Sequence, residues 1–235
     1  MITLVGIGHV FKIAEPVSFI VKNIWPDAVL VELDPSRYNA LSSSAEKKDG
    51  DSQWAYRKMA KYQRRMAEEH GSQVGAELIA AVETGRAVGA AIEFIDTDAS
   101  QTMNRVWKEM PFTERMRFTF SMIGDRFRSK KKADDAIREF GENEDERIDA
   151  MRKKYPTLVR IVIDERNAHM SEKIKEASKR YENVVVVIGD GHVEGISRLL
   201  PEESIRKIRL KTLMDTDLMK SLRSELWSGI TEEQE

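Results

Sequence analysis

The chain has 235 residues, 33% of them charged, with 38 basic and 40 acidic side chains and a formal net charge of −2. That length supports one large domain or two small ones with a substantial core, and the near-neutral balance supplies no global basic field for nucleic acid or anionic lipid. Cysteine is absent, which excludes disulfides and thiolate chemistry; no signal-peptide pattern opens the sequence and no apolar run reaches the roughly 20 residues a bilayer demands, so a soluble, cytoplasmic protein is expected.

Ile2 to Val5 reads as a strand that runs into Gly6-Ile7-Gly8-His9. Val17, Ile20, Val21 and Ile24 then recur at helical spacing, with Pro16 tolerated in the first turn and Trp25-Pro26 as the stop. Ala28 to Val31 is a second strand, leading into Glu32. This βαβ unit predicts parallel, buried strands. Asp34-Pro35-Ser36-Arg37 opens another helix, with Asp34 as cap and proline at its first position.

Residues 42–52 are polar and predict a loop, and 53–84 carry a helical pattern. Gly85 and Gly89 precede a third strand, Ala91 to Ile95, which ends in Asp96-Thr97-Asp98. Residues 101–155 are again helical and heavily charged, with Phe112, Met116 and Phe120 forming an apolar stripe suited to a core or a subunit interface. The basic run Arg128 to Lys132 reads as a solvated face.

Between Pro156 and Tyr181 the pattern fits either a strand followed by a helix or one long helix. The long helix is favoured, because it sets Val159, Ile163, Arg166, Met170, Ile174, Ala177 and Tyr181 on one stripe. A guanidinium on such a seam would cost several kcal/mol if unpaired, so Arg166 is expected to face an acidic partner. Val184 to Ile188 is a fourth strand running into Gly189-Asp190-Gly191-His192, and Ile205 to Leu210 supplies a last one. The fold expected is α/β: a single domain over 1–235, with a mostly parallel central sheet flanked by helices and helical insertions at about 42–90 and 100–155.

Ligands of open parallel sheets gather outside the carboxyl ends of the strands. Here those ends offer His9, Glu32, the Asp96/Asp98 pair and His192, two of the chain's four histidines among them. Two imidazoles and a carboxylate with open positions suit a catalytic divalent cation such as Zn, Mn, Co or Fe. Simpler roles exist for several of these groups. Glu32 could neutralise Arg37 or Arg166, and Asp96 and Asp98 could cap the helix that starts near Ser100. Glu165 and His169, four apart, could ligate from one helix face or form an exposed pair, and His70 before Gly71 reads as a helix-end cap. The first turn also imitates a dinucleotide-binding fingerprint, but Phe11 stands where the third glycine belongs, and Glu194 does so in the second.

Five ordered blocks, GIGHV (Gly6–Val10), VELDPSRY (Val31–Tyr38), Gly75–Trp107, DERNAHM (Asp164–Met170) and VIGDGHVEGI (Val187–Ile196), make the sequence resemble the TraB/PrgY family, to which the Tiki metalloproteases look related. The resemblance implies a fold similar to the erythromycin-esterase and ChaN-like proteins and a metal-dependent hydrolase, with peptide-bond cleavage as the activity. It maps His9 and His192 onto the paired histidines, and Glu32 and Arg37 onto the acidic residue and trailing arginine of one block. Glu77 matches the glutamate of the Gly-x-Glu block, and Glu165 and Arg166 match the Glu-Arg pair. The family usually shows Asp-Arg-Asp where this chain has Asp96-Thr97-Asp98, and PrgY-type relatives carry a membrane-spanning C-terminal region that this sequence lacks.

The mechanism expected from these residues is a hydrolysis in which His9, His192 and a carboxylate, Glu32 first and Glu77 second, hold the ion. Glu165 or Glu77 is the general base, and Arg37 or Arg166 stabilises the oxyanion. A non-catalytic dimeric scaffold that binds a peptide or small ligand in the same cleft is the alternative. A homodimer is expected, and for the scaffold the charged helical region 101–155, with its Phe112/Met116/Phe120 stripe, supplies the subunit contact.

Overall fold

The computed structural model describes residues 1–8, 11–42, 75–125 and 144–232. His9, Val10, His70 and the basic run Arg128 to Lys132 lie outside the described residues. Strands β1 (Ile2–Ile7), β2 (Ala28–Val31), β3 (Ala91–Phe94), β4 (Val184–Gly189) and β5 (Ile205–Ile208) form one sheet in the order β3-β2-β4-β1-β5. Every pairing is parallel, with Ile7 opposite Gly189 and Val31 opposite both Val187 and Phe94. The carboxyl ends of β1, β2, β3 and β4 therefore finish at one level.

The central strands are apolar at nearly every position because both faces are covered. Val5, Ile7, Val29, Val31, Val185 and Val187 pack against helices α1 (Ala14–Ile24) and α3 (Ala76–Ala87) on one side. Leu4, Leu30, Val186 and Ile188 pack against α8 (Glu165–Ser178) and α9 (Asp190–Leu199) on the other. Alternation along each strand thus assigns Val31 to the α1/α3 layer, and sends Glu32 toward α8 and α9. The α1 helix stops where expected, at Trp25, whose left-handed backbone (φ 50°) precedes Pro26.

The described residues between β3 and β4 are largely helical: α4 (Ala99–Glu109), α5 (Phe112–Asp125), α6 (Glu144–Lys154), α7 (Pro156–Val159) and α8. Met103, Val106, Met110, Tyr155, Leu158 and Ile161 give it a small core of its own. Between α7 and α8, Arg160–Asp164 forms a π-helical turn, so helical backbone runs from Pro156 to Ser178 as the sequence pattern favours. Asp98 caps α4, accepting from the backbone N–H groups of Ser100 (2.8 Å) and Gln101 (2.9 Å). Phe112, Met116 and Phe120 remain 72%, 41% and 62% exposed, so this stripe is not part of the chain's own core. Two helices, α10 (Leu210–Met214) and α11 (Thr216–Glu232), return along α1.

Candidate functional site

Glu32 leaves the end of β2 buried, and its Oε2 accepts from the Gly189 backbone N–H at the end of β4 (2.5 Å). Asp96, two residues past β3, is held in turn by the Thr97 N–H (2.8 Å). Arg166, in the first turn of α8, reaches between the two carboxylates. Its Nε and Nη2 donate to Asp96 Oδ1 and Oδ2 at 2.8 and 2.9 Å, and Nη2 also donates to Glu32 Oε1. Its Nη1 donates to the Val162 carbonyl and to His192 Nε2, both at 3.2 Å. All five guanidinium N–H donors are thereby engaged. Burial works to lower the Arg166 pKa, but the attraction of Glu32 and Asp96 outweighs it, so the group stays charged well beyond the ordinary arginine range.

The acidic partner that the apolar seam demands is therefore two carboxylates. Glu32 does take the simpler role of neutralising Arg166, while keeping an edge toward His192: Glu32 Oε1 lies 3.6 Å from His192 Nε2. His192 is 5% exposed, and its Nδ1 donates to Asn167 Oδ1 at 2.7 Å. An amide oxygen only accepts, so the proton of the neutral ring sits on Nδ1 and the Nε2 lone pair faces the cluster. Asn167 approaches so closely because residue 195 is glycine: a Cβ there would fall 2.1 Å from Asn167 Nδ2. The sequence reading missed Asn167, although it follows Arg166 directly and Gly195 lies one turn beyond His192.

The strand ends that lead into the two Gly-x-Gly-His sequences are neighbours, since Ile7 pairs with Gly189. Gly6 has a distinct task. The Asp190 side chain crosses directly above it, and a Cβ on Gly6 would sit 2.1 Å from Asp190 Oδ1. Asp190 accepts from Arg209 Nε (3.0 Å), Arg209 Nη2 (2.8 Å) and the Leu210 N–H (2.8 Å). The start of α9, which carries His192, is thereby clamped to the end of β5. Arg209 is a second residue that the sequence reading did not single out.

Arg37 adds a second cation. It sits in the first turn of α2 (Pro35–Ser42), where its backbone N–H donates to the Asp34 side chain at 3.0 Å. Tyr38 stacks on Phe94 (ring centroids 4.9 Å apart) and keeps that turn over β3. Arg37 Nη1 lies 3.6 Å from Asp96 Oδ2. Glu77 is fully buried in the first turn of α3. Gly85 of the same helix packs on Val29 and Ile92, and eight residues of helix rise about 12 Å, which sets Glu77 level with the carboxyl edge but in the layer opposite Glu32. Glu165 is not part of the cluster. Its carboxylate is taken by Arg105 Nη1 (2.8 Å) and Arg160. His9 lies outside the described residues, and among these no group of three or more His, Asp or Glu side chains is arranged to hold an ion.

A model of the TraB/PrgY/gumN family matches residues 1–211. The chain belongs to this family. An uncharacterized protein of Methanocaldococcus jannaschii is 30% identical over 250 aligned positions, which take in 98% of this chain and 61% of the relative. The chain thus spans under two thirds of the length of that relative. Each strand of the sheet and each residue of the Glu32–Asp96–Arg166–His192 cluster falls inside the matched family region. No helix among the described residues of this TraB-family chain is long and apolar enough to cross a membrane.

Proposed function

We propose that this TraB-family chain is a divalent-metal-dependent hydrolase with the peptide bond as its target. One observation carries the reading: Glu32 Oε1 and His192 Nε2 stand 3.6 Å apart, and Asn167 fixes the imidazole so that its lone pair faces that gap. A histidine that donates through one ring nitrogen and offers the other is the usual arrangement of a protein ligand to a metal. Glu32 and His192 would hold a Zn, Mn, Co or Fe ion, with His9 as the third ligand. Two described donors fit such an ion. The guanidinium of Arg166 reaches the same two atoms, so ion and arginine compete for them. When bound, the cation would supply Lewis acidity and bring the pKa of water toward about 7.

The remaining work falls to this chain's own groups. Arg166, anchored on Asp96 by its Nε/Nη2 fork, places fixed positive charge where a carbonyl oxygen becomes negative. Glu77 is our choice of general base, because Arg105 and Arg160 already occupy Glu165. Asn167 and the Asp190–Arg209 clamp hold His192 in place. Metal analysis of the purified protein, with peptide-hydrolysis assays of His9→Ala and His192→Ala, tests the reading. Bound metal and loss of activity in both variants are expected. A metal-free protein whose activity survives both changes overturns it.

Two observations favour a second reading, a non-catalytic dimeric scaffold that binds a peptide or small ligand. Arg166 already neutralises Glu32 and Asp96, and the exposed Phe112/Met116/Phe120 stripe gives such a scaffold a surface for a second copy. Stoichiometric metal or peptide binding without turnover of any peptide in a broad library would select it.

A further inference from the structure

We propose that Arg37 is the anchor for a carboxylate on the ligand that enters this site. The inference names a substrate class for the site above and rests on that reading only for where the ligand lies. The two arginines of the cluster are in opposite states. Each of the five N–H donors of Arg166 is engaged, so what it offers a ligand is charge rather than a hydrogen bond. The Arg37 guanidinium makes no hydrogen bond among the described residues. Its interaction is the 3.6 Å approach to Asp96, beyond hydrogen-bond reach, while its side chain is only 24% exposed. A cation three-quarters withdrawn from water with its donors idle is costly unless something else completes it.

Local structure gives Arg37 no reason to be there. It lies in the first turn of α2, the positive end of the helix dipole, where cations are disfavoured. Asp34 caps the helix through the Arg37 backbone and not through its side chain. The placement makes sense as a fixed positive fork at the carboxyl edge of the sheet.

Charge selects the ligand. Glu32 and Asp96 face Arg166 and Arg37, and the Asp34 carboxylate is spent on the backbone of α2, so among the described residues of the cluster Arg37 is the guanidinium with donors left for a monoanion. A dianionic phosphate would face two carboxylates across the same space. The planar fork also matches a carboxylate in bidentate fashion, which an ammonium cannot do. The carboxylate can be a peptide's C-terminal group or an acidic side chain, and the test separates them.

The full chain, labelled with 15N-arginine, is titrated with N-acetylglycine, with N-acetylaspartic acid α-amide and with N-acetylglycinamide. The Arg37 Nε–Hε resonance is assigned by its loss in Arg37→Lys. A saturable shift of that resonance with one or both carboxylates, absent with N-acetylglycinamide, is expected. The acid that shifts it at lower concentration identifies the source. Binding of that acid to Arg37→Gln should weaken by about tenfold or more, and Arg37→Lys, which keeps the charge and loses the fork, should fall between. An Arg37 resonance unmoved by either acid up to its solubility limit, or moved equally by the amide, overturns the proposal. Because binding is read on Arg37 itself, the result stands apart from catalysis. A protein that binds the acid yet cleaves no peptide keeps the anchor and loses the hydrolase reading, and cleavage without a response at Arg37 does the reverse.

Discussion

Arg166 and Asp96, separated by 70 positions in the chain, are joined by two parallel N–H···O bonds of 2.8 and 2.9 Å. This fork ties the first turn of α8 to the end of β3, and through Glu32 to the end of β2. Both carboxylates are nearly inaccessible, at 1% and 5% of their side-chain surface. Removing the cation alone therefore leaves Glu32 buried without it and Asp96 with Arg37, 3.6 Å away, as its nearest cation among the described residues. Arg166→Met should lower the unfolding free energy by about 3–5 kcal/mol in urea titrations. Arg166→Lys should recover little of this, since an ammonium has three donors for five acceptor contacts. A lysine variant as stable as the parent would show that charge, and not the fork, is what matters.

The Asn167–His192 bond should govern the chemistry of the imidazole more than the stability of the fold. If the proposed hydrolase reading holds, Asn167→Ala costs about 10- to 100-fold in metal affinity or hydrolytic rate, read by calorimetric titration with Mn or Zn and by peptide assay. Gly195→Ala should reproduce the effect with both partners unsubstituted, because its new methyl would collide with the Asn167 amide and displace it from His192.

Gly6 and Asp190 form an interlocked pair across β1 and α9. A methyl at Gly6 must displace the Asp190 carboxylate from Arg209 and Leu210, for an expected loss of about 1–3 kcal/mol. The double variant Gly6→Ala/Asp190→Ala should be scarcely less stable than Asp190→Ala alone. Simple additivity in that cycle would mean the two residues are not coupled.

Hydrogen bonds from Ser100 and Gln101 hold the Asp98 carboxyl below its ordinary pKa. A carboxylate depressed in the folded state adds stability above its unfolded pKa of about 4, and loses it as pH falls through the lower folded value. Asp98→Ala should thus cost about 1 kcal/mol near neutrality. The gap in melting temperature between parent and variant should narrow as pH drops below about 4.

Substituting Phe112 and Phe120 by serine should change monomer stability by no more than about 0.5 kcal/mol, since both rings are exposed. If the stripe seats a second copy, the same change lowers the sedimentation-derived association constant. An unaltered association state would remove the dimeric scaffold's main support.

Much of this architecture was legible because burial on two sides leaves a plain mark. The valine-rich β4 and the Ala28–Val31 strand could only be central and parallel, and Arg166 on an apolar stripe required a carboxylate. Which carboxylate was not legible, because Glu32 and Asp96 approach it from different strand ends and no spacing links them to residue 166. Asn167 and Arg209 escaped notice for a related reason. Their partners, His192 and Asp190, are set by the packing of α8 and β5 against α9, and the only trace in the sequence is a pair of glycines that make room. Glu165 misled in the opposite way: its neighbour Arg166 turns into the site, while Glu165 itself faces arginines of α4 and the π-helical segment.

The wide turn at Arg160–Asp164 has a consequence for phase. Relative to an unbroken α-helix it holds one surplus residue, and each residue of an α-helix advances about 100° around the axis. The wide turn takes up that residue, so Arg166 and Asn167 keep the phase of a regular helix one residue shorter; a further inserted residue that the turn did not absorb would rotate them by that angle away from the strands while Leu158 and Val159 stayed seated. An insertion here would thus disturb the candidate centre through phase, although the stretch meets that centre through the Val162 carbonyl.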